Sequence, residues 1–124
     1  MHYALLIYSA PDARTPYQAD DEGVFDDWSA YTKAVHDSGA FVAAEQLQET
    51  DTATTVRLRG GERLLTDGPF IETKEHLLGF YLVDVADLDT ALDWAARMPL
   101  IRFGTVEVRP VVRGNLPWRT VVDA

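Results

Sequence analysis

Two stretches of this chain carry large apolar side chains at both odd and even positions: HYALLIY at 2–8 and LLGFYLVDV at 77–85. Successive side chains of a strand point to opposite faces of its sheet, so each stretch predicts a strand covered on both sides. The remaining pattern limits how that cover can be supplied. A helix is predicted over about 22–38, where Val24, Trp28, Tyr31 and Val35 form one stripe and Gly39 gives a stop. A second is predicted at 88–98, with Asp87 as N-cap, Leu88, Leu92, Ala95 and Met98 as its buried stripe, and Pro99 as its end. Residues 40–48 (AFVAAEQLQ) and 104–112 (GTVEVRPVV) read as strands. TATTVRLR at 52–59 turns through Gly60-Gly61 into ERLLT, which predicts a hairpin over 53–66.

The order β-α-β-β-β-β-α-β describes an α+β, ferredoxin-like sandwich with both helices on one face of an antiparallel sheet. Two helices cover one side only. The other apolar side needs its own cover, and a second copy of the chain supplies it most simply. A homodimer whose sheets face each other is therefore expected. The alternative is a monomer whose segment 9–21 and tail fold over the sheet.

At 124 residues the chain is expected to form one domain, 1–124, with 112–124 as a C-terminal tail. The formal net charge of −9 disfavours nucleic acid and anionic membranes, since both select a positive surface. The absence of cysteine excludes thiol catalysis and disulfides. The N-terminal apolar run is too short for a signal peptide or a membrane span, so a cytoplasmic protein is expected. The glycines form neither a P-loop nor a GxGxxG turn, and no HExxH or paired-histidine spacing occurs. Neither a cofactor nor a metal is expected.

The segment TDGPFIETKE at 66–75 concentrates the chemistry. Pro69 drives Gly68 out of the helical region, and the Asp67 carboxylate can accept backbone N–H groups two residues on, an Asx-turn. In a cleft, the same carboxylate could act as a general base. Glu72 and Lys74 share a face if the segment is extended, whereas Glu72 and Glu75 do if it is helical. A lysine flanked by carboxylates pairs with them, which suits Lys74 as charge complement to Asp67 or to an anionic ligand. Glu45 and Arg109 are charges within otherwise apolar strands, and Thr105, Glu107 and Arg109 share a face opposite Val106 and Val108. Glu45 and Arg109 must pair with each other, meet a partner subunit, or line a wet cleft. Tyr8, ending the first strand, can reach the same cleft with its hydroxyl, and Phe70 can help to shape it. His36 suits the C-terminal end of the first helix, and His76 adjoins the motif.

With its DGPF motif at 67–70, the chain resembles the YCII-related superfamily, most closely the branch named for that motif. The resemblance runs from YALLIY (3–8) through 52–99 to VEVRPV (106–111). It implies a ferredoxin-like fold that dimerises into an α+β barrel, with a cleft between the sheet and the partner. Some members of the wider superfamily act on chlorinated hydroquinones, and a His–Asp pair is proposed as the reactive centre in others. Here the histidines are His2, His36 and His76, and none follows the first strand, so Asp67 alone carries over.

The expected function is cofactor-independent acid/base chemistry on a small anionic or phenolic ligand in an intersubunit cleft. Asp67 and Lys74 would be catalytic, and Tyr8, Glu45, Phe70, Glu72 and Arg109 would bind the ligand. A non-catalytic binding or regulatory domain built from the same charges is the alternative.

Overall fold

The computed structural model describes residues 1–10, 22–71 and 74–112. Glu72, the segment 11–21, the tail beyond 112 and the Val24 side chain lie outside the described residues. The elements are β1 (His2–Ser9), α1 (Glu22–Asp37), β2 (Phe41–Gln46), β3 (Thr54–Arg59), β4 (Glu62–Asp67), β5 (His76–Asp84), α2 (Leu88–Ala96) and β6 (Gly104–Pro110). No helix among the described residues is long and apolar enough to cross a membrane.

Four strands form one sheet in the order β2-β5-β1-β6, each neighbouring pair antiparallel. β1 and β2 therefore run the same way with β5 between them and are joined through α1. β5 and β6 run the same way with β1 between them and are joined through α2. The fold is thus mixed α+β, with an antiparallel sheet and two helices. The alternation on β1 decides which side the helices take: Tyr3, Leu5, Ile7 and Ser9 are buried, while His2, Ala4, Leu6 and Tyr8 are half-buried. Tyr81 and Val83 of β5 join the buried side, where Tyr31, Val35, Ala91, Trp94 and Met98 close the core.

Aromatic rings set the spacing of that core. The Tyr31 ring meets Tyr81 edge-on at 5.3 Å between centroids and Trp94 edge-on at 6.0 Å, which ties α1 to the sheet and to α2. Its hydroxyl donates to the Trp94 carbonyl at 2.8 Å, so the buried phenol is satisfied. Burial, and then the neighbouring Tyr81 phenol, push the Tyr31 phenol well above its ordinary range. Tyr81 is also raised, first by burial, although its 2.5 Å contact with the Thr32 hydroxyl opposes the shift.

The second helix differs from the stripe its sequence predicts. Ala95 and Met98 face inward as predicted, but Leu88 and Leu92 are exposed, and Ala91 and Trp94 take their place. The indole decides the rotation, because Trp94 buries more area than either leucine and lies against Tyr31. The helix ends at Ala96, two residues short of the predicted 98, with Arg97 as C-cap. Asp87 caps its start, accepting from the Thr90 N–H at 2.8 Å and the Thr90 hydroxyl at 2.7 Å.

β3 and β4 form a separate two-stranded sheet around Gly60-Gly61. At its foot Gly68 has φ +100°, donates to the Ala53 carbonyl at 2.7 Å and accepts from the Thr55 hydroxyl at 2.7 Å. Backbone groups of Gly68 fix this turn in place of the predicted Asx-turn, and a glycine suits that φ. Gly79 has a different reason. On β5 it faces so close an approach of β2 that an added Cβ would collide with the Glu45 carbonyl oxygen.

Candidate functional site

The helix-free face of the sheet can be mapped from its registers, since residues directly opposite across a ladder share a face. Glu45 opposes Phe80, Phe80 opposes Leu6 and Leu6 opposes Glu107, which makes one row across all four strands. Ala43, Leu82, Ala4 and Arg109 make the next. The result is an apolar strip with Glu45 on one edge strand and the Glu107–Arg109 pair on the other.

Charge chemistry collects at the β1–β6 side of this strip. Arg109 donates to Glu107 at 2.7 Å, and this bond raises the guanidinium further above its already high range. The Tyr8 hydroxyl, brought to β6 by the pairing of Tyr8 with Thr105, donates to the other Glu107 oxygen at 3.4 Å. Beside them the Thr105 hydroxyl donates to Glu75 at 3.1 Å, so the far end of the TDGPFIETKE motif reaches this corner of the sheet. One carboxylate thus stands between a phenol and a guanidinium on an open, half-apolar surface. Such a set can hold an anionic or phenolic oxygen at Tyr8 and Arg109 while Glu107 accepts a proton.

The predicted site residues divide. Tyr8 and Arg109 come together, through Glu107. Glu45 lies on the opposite edge strand with β5 and β1 between, so of the three alternatives for these charges its pairing with Arg109 within one chain does not form. Asp67 ends β4 in the hairpin and is exposed, and its carboxylate has no hydrogen bond among the described residues. Lys74 is exposed and forms no ion pair among the described residues, and its expected partner Glu72 lies outside them. Phe70 is 64% exposed and lies under the Arg57 guanidinium, 4.5 Å from its ring centroid. Glu72 lies outside the described residues. His36 stacks on Phe41 at 3.8 Å, and His76 contacts the Thr50 hydroxyl through Nδ1 at 3.2 Å.

Sequence reasoning placed Glu107 on the right face but did not make it the centre of the site. The alternation of Thr105, Glu107 and Arg109 against Val106 and Val108 was the available signal. A carboxylate and a guanidinium two residues apart on one strand share a face and can bond directly. A hollow of about 470 Å³ on the helix side is lined by Asp27, Tyr31, Arg97, Met98 and Arg102 among others, and by none of the predicted site residues.

The YCII-related domain model matches residues 1–118. The chain belongs to the YCII-related family. Among curated proteins, this family member is 40% identical over 123 residues to uncharacterized protein R00369 of Rhizobium meliloti (strain 1021), covering 94% of this chain and 99% of the relative. Among solved structures, it is similar to 5-chloro-2-hydroxyhydroquinone dehydrochlorinase (TftG) from Burkholderia phenoliruptrix AC1100, in complex with 2,5-dihydroxybenzoquinone. The TM-score is 0.52 at 9% identity, covering 92% of this chain and 96% of that one. At that identity the likeness is one of fold.

Proposed function

We propose that this chain is a one-domain, cofactor-independent protein acting on a small phenolic or anionic molecule bound on the open sheet face of a homodimer. The observation that carries the reading is the Tyr8–Glu107–Arg109 constellation at the edge of an apolar strip. Tyr8 and Arg109 hold the ligand's oxygen, Glu107 serves as proton acceptor, and Leu6 and Phe80 supply an apolar bed for a ring. A ferredoxin-like sandwich would account for the strand order, and the helix-free strip suits pairing of two sheets into an α+β barrel. The dehydrochlorinase of similar fold, which binds a dihydroxybenzoquinone, supports a quinol-like ligand.

Asp67 and Lys74 belong to the enzymatic form of this proposal, as base and charge complement. Their exposure favours a second reading in which the protein binds its ligand without transforming it. A thermal-shift series with 2,5-dihydroxybenzoquinone, small phenols and small carboxylates separates the two. A ligand that stabilises the wild type should lose most of its effect in Tyr8→Phe and in Arg109→Gln. Equal stabilisation of all three proteins would overturn the site. Turnover of that ligand, lost in Asp67→Asn with binding retained, identifies an enzyme; binding without turnover identifies a binding domain.

A further inference from the structure

The hairpin β3–β4 buries almost nothing of its own. Val56, Leu58 and Leu65 are 60%, 62% and 62% exposed, and Phe70 and Ile71 beyond it are 64% and 63% exposed. A two-stranded ribbon is at best marginal in water without a surface to pack on. Its register concentrates the problem on one side. Val56 opposes Leu65, Leu58 opposes Arg63 and Thr54 opposes Asp67, so three exposed apolar side chains share a face with one cation and, at the foot of the ribbon, one carboxylate. The cations of the other face are engaged: Arg57 lies over Phe70, and Arg59 donates to the Leu58 carbonyl at 2.9 Å. Arg63 has no partner among the described residues.

The helix-free sheet face is the counterpart of that ribbon. Its apolar strip of Ala4, Leu6, Phe80 and Leu82 ends in Glu45 on the edge strand, and Glu45 too has no partner among the described residues. Glu107, at the other end, already accepts from Tyr8 and Arg109. The exposed apolar side of the ribbon and the helix-free strip are therefore alike in apolar character, and Arg63 on the one is opposite in charge to Glu45 on the other. Within a single chain they stay apart, because the leucines of the hairpin remain exposed.

We infer that the hairpin is an exchange arm. Val56, Leu58 and Leu65 of one copy lie across the apolar strip of the other, and Arg63 pairs with Glu45 of the partner subunit. The arm then roofs the surface on which Tyr8 and Arg109 hold the ligand, so each site is completed by the second chain. The inference rests on the homodimer proposed above and adds what lies between the two sheets.

Charge reversal tests it. Glu45→Arg and Arg63→Glu are exposed substitutions, with retained folding checked by circular dichroism. Each alone should weaken the dimer about tenfold, the scale of one interfacial ion pair, and the double variant should recover most of that loss. Because the chain has no cysteine, Leu58→Cys and Leu82→Cys chains can also be mixed and treated with a short thiol cross-linker. A covalent heterodimer is expected. A wild type that stays monomeric in light scattering overturns the dimer and the arm together. A stable dimer with no recovery in the double variant and no cross-link overturns the arm alone.

Discussion

Tyr31 joins three parts of the molecule through one side chain. Its ring meets Tyr81 and Trp94, and its hydroxyl donates to the Trp94 carbonyl. Tyr31→Phe keeps the rings but removes that donor. The carbonyl still accepts weakly from the Arg97 N–H at 3.3 Å, so the loss should be about 1 kcal/mol in denaturant unfolding. The same residue sets an alkaline limit. Burial raises the folded phenol above its ordinary value of 10.0, so the folded state favours the neutral form. That contribution is whole below the ordinary value and is lost as pH rises towards the folded one. Stability should begin to fall at about pH 9 and keep falling as pH rises further, less steeply in Tyr31→Phe. Tyr81 acts in the same direction and leaves a residual slope. Tyr31 was readable in the sequence as a core position, because it lies on the helix stripe. Its bond to Trp94 was not, since it links residues that only the tertiary fold brings together.

The elements were legible where one local rule decided them. Asp87 is an N-cap because an aspartate before a helical run satisfies the first free N–H groups, and its two bonds from Thr90 follow from that. Those bonds hold its carboxyl below the ordinary range, the side-chain bond from Thr90 being the larger cause. The sign follows: the cap contributes above the ordinary carboxylate range and is lost as pH falls through the depressed value. Asp87→Ala should lower the thermal midpoint at neutral pH, and the gap from wild type should close in acid. The rotation of α2 was less legible, since Leu88 and Leu92 compete with Trp94 for the inward face and volume settles the contest. The hairpin shows the opposite failure. Its alternation gave the strands, but its leucines stay exposed, and sequence periodicity carries no information about what covers a ribbon. The site divides in the same way. Tyr8 and Arg109 could be placed on one face by counting from strand ends, whereas their convergence on Glu107 depends on the β1–β6 register.

At the scale of the whole molecule, the strand order has a consequence for how the chain is made. β1 and β2, which come first, touch no common ladder until β5 slots between them. A nascent chain that has emerged only as far as residue 71 owns a helix, a ribbon and two strands that cannot pair with each other. The central ladder, β1 against β5, spans the register from His2–Asp84 to Ser9–His76, so it closes only when both halves are available. Such long-range closure slows folding relative to local contacts. A fragment of residues 1–71 should show no cooperative unfolding transition, and adding a separate 72–124 fragment should restore one if the two associate. During synthesis the early strands must wait, with apolar surfaces bare, for a partner the ribosome has yet to deliver. The stretch most at risk of aggregating is thus the same HYALLIY segment that later sits at the centre of the finished sheet.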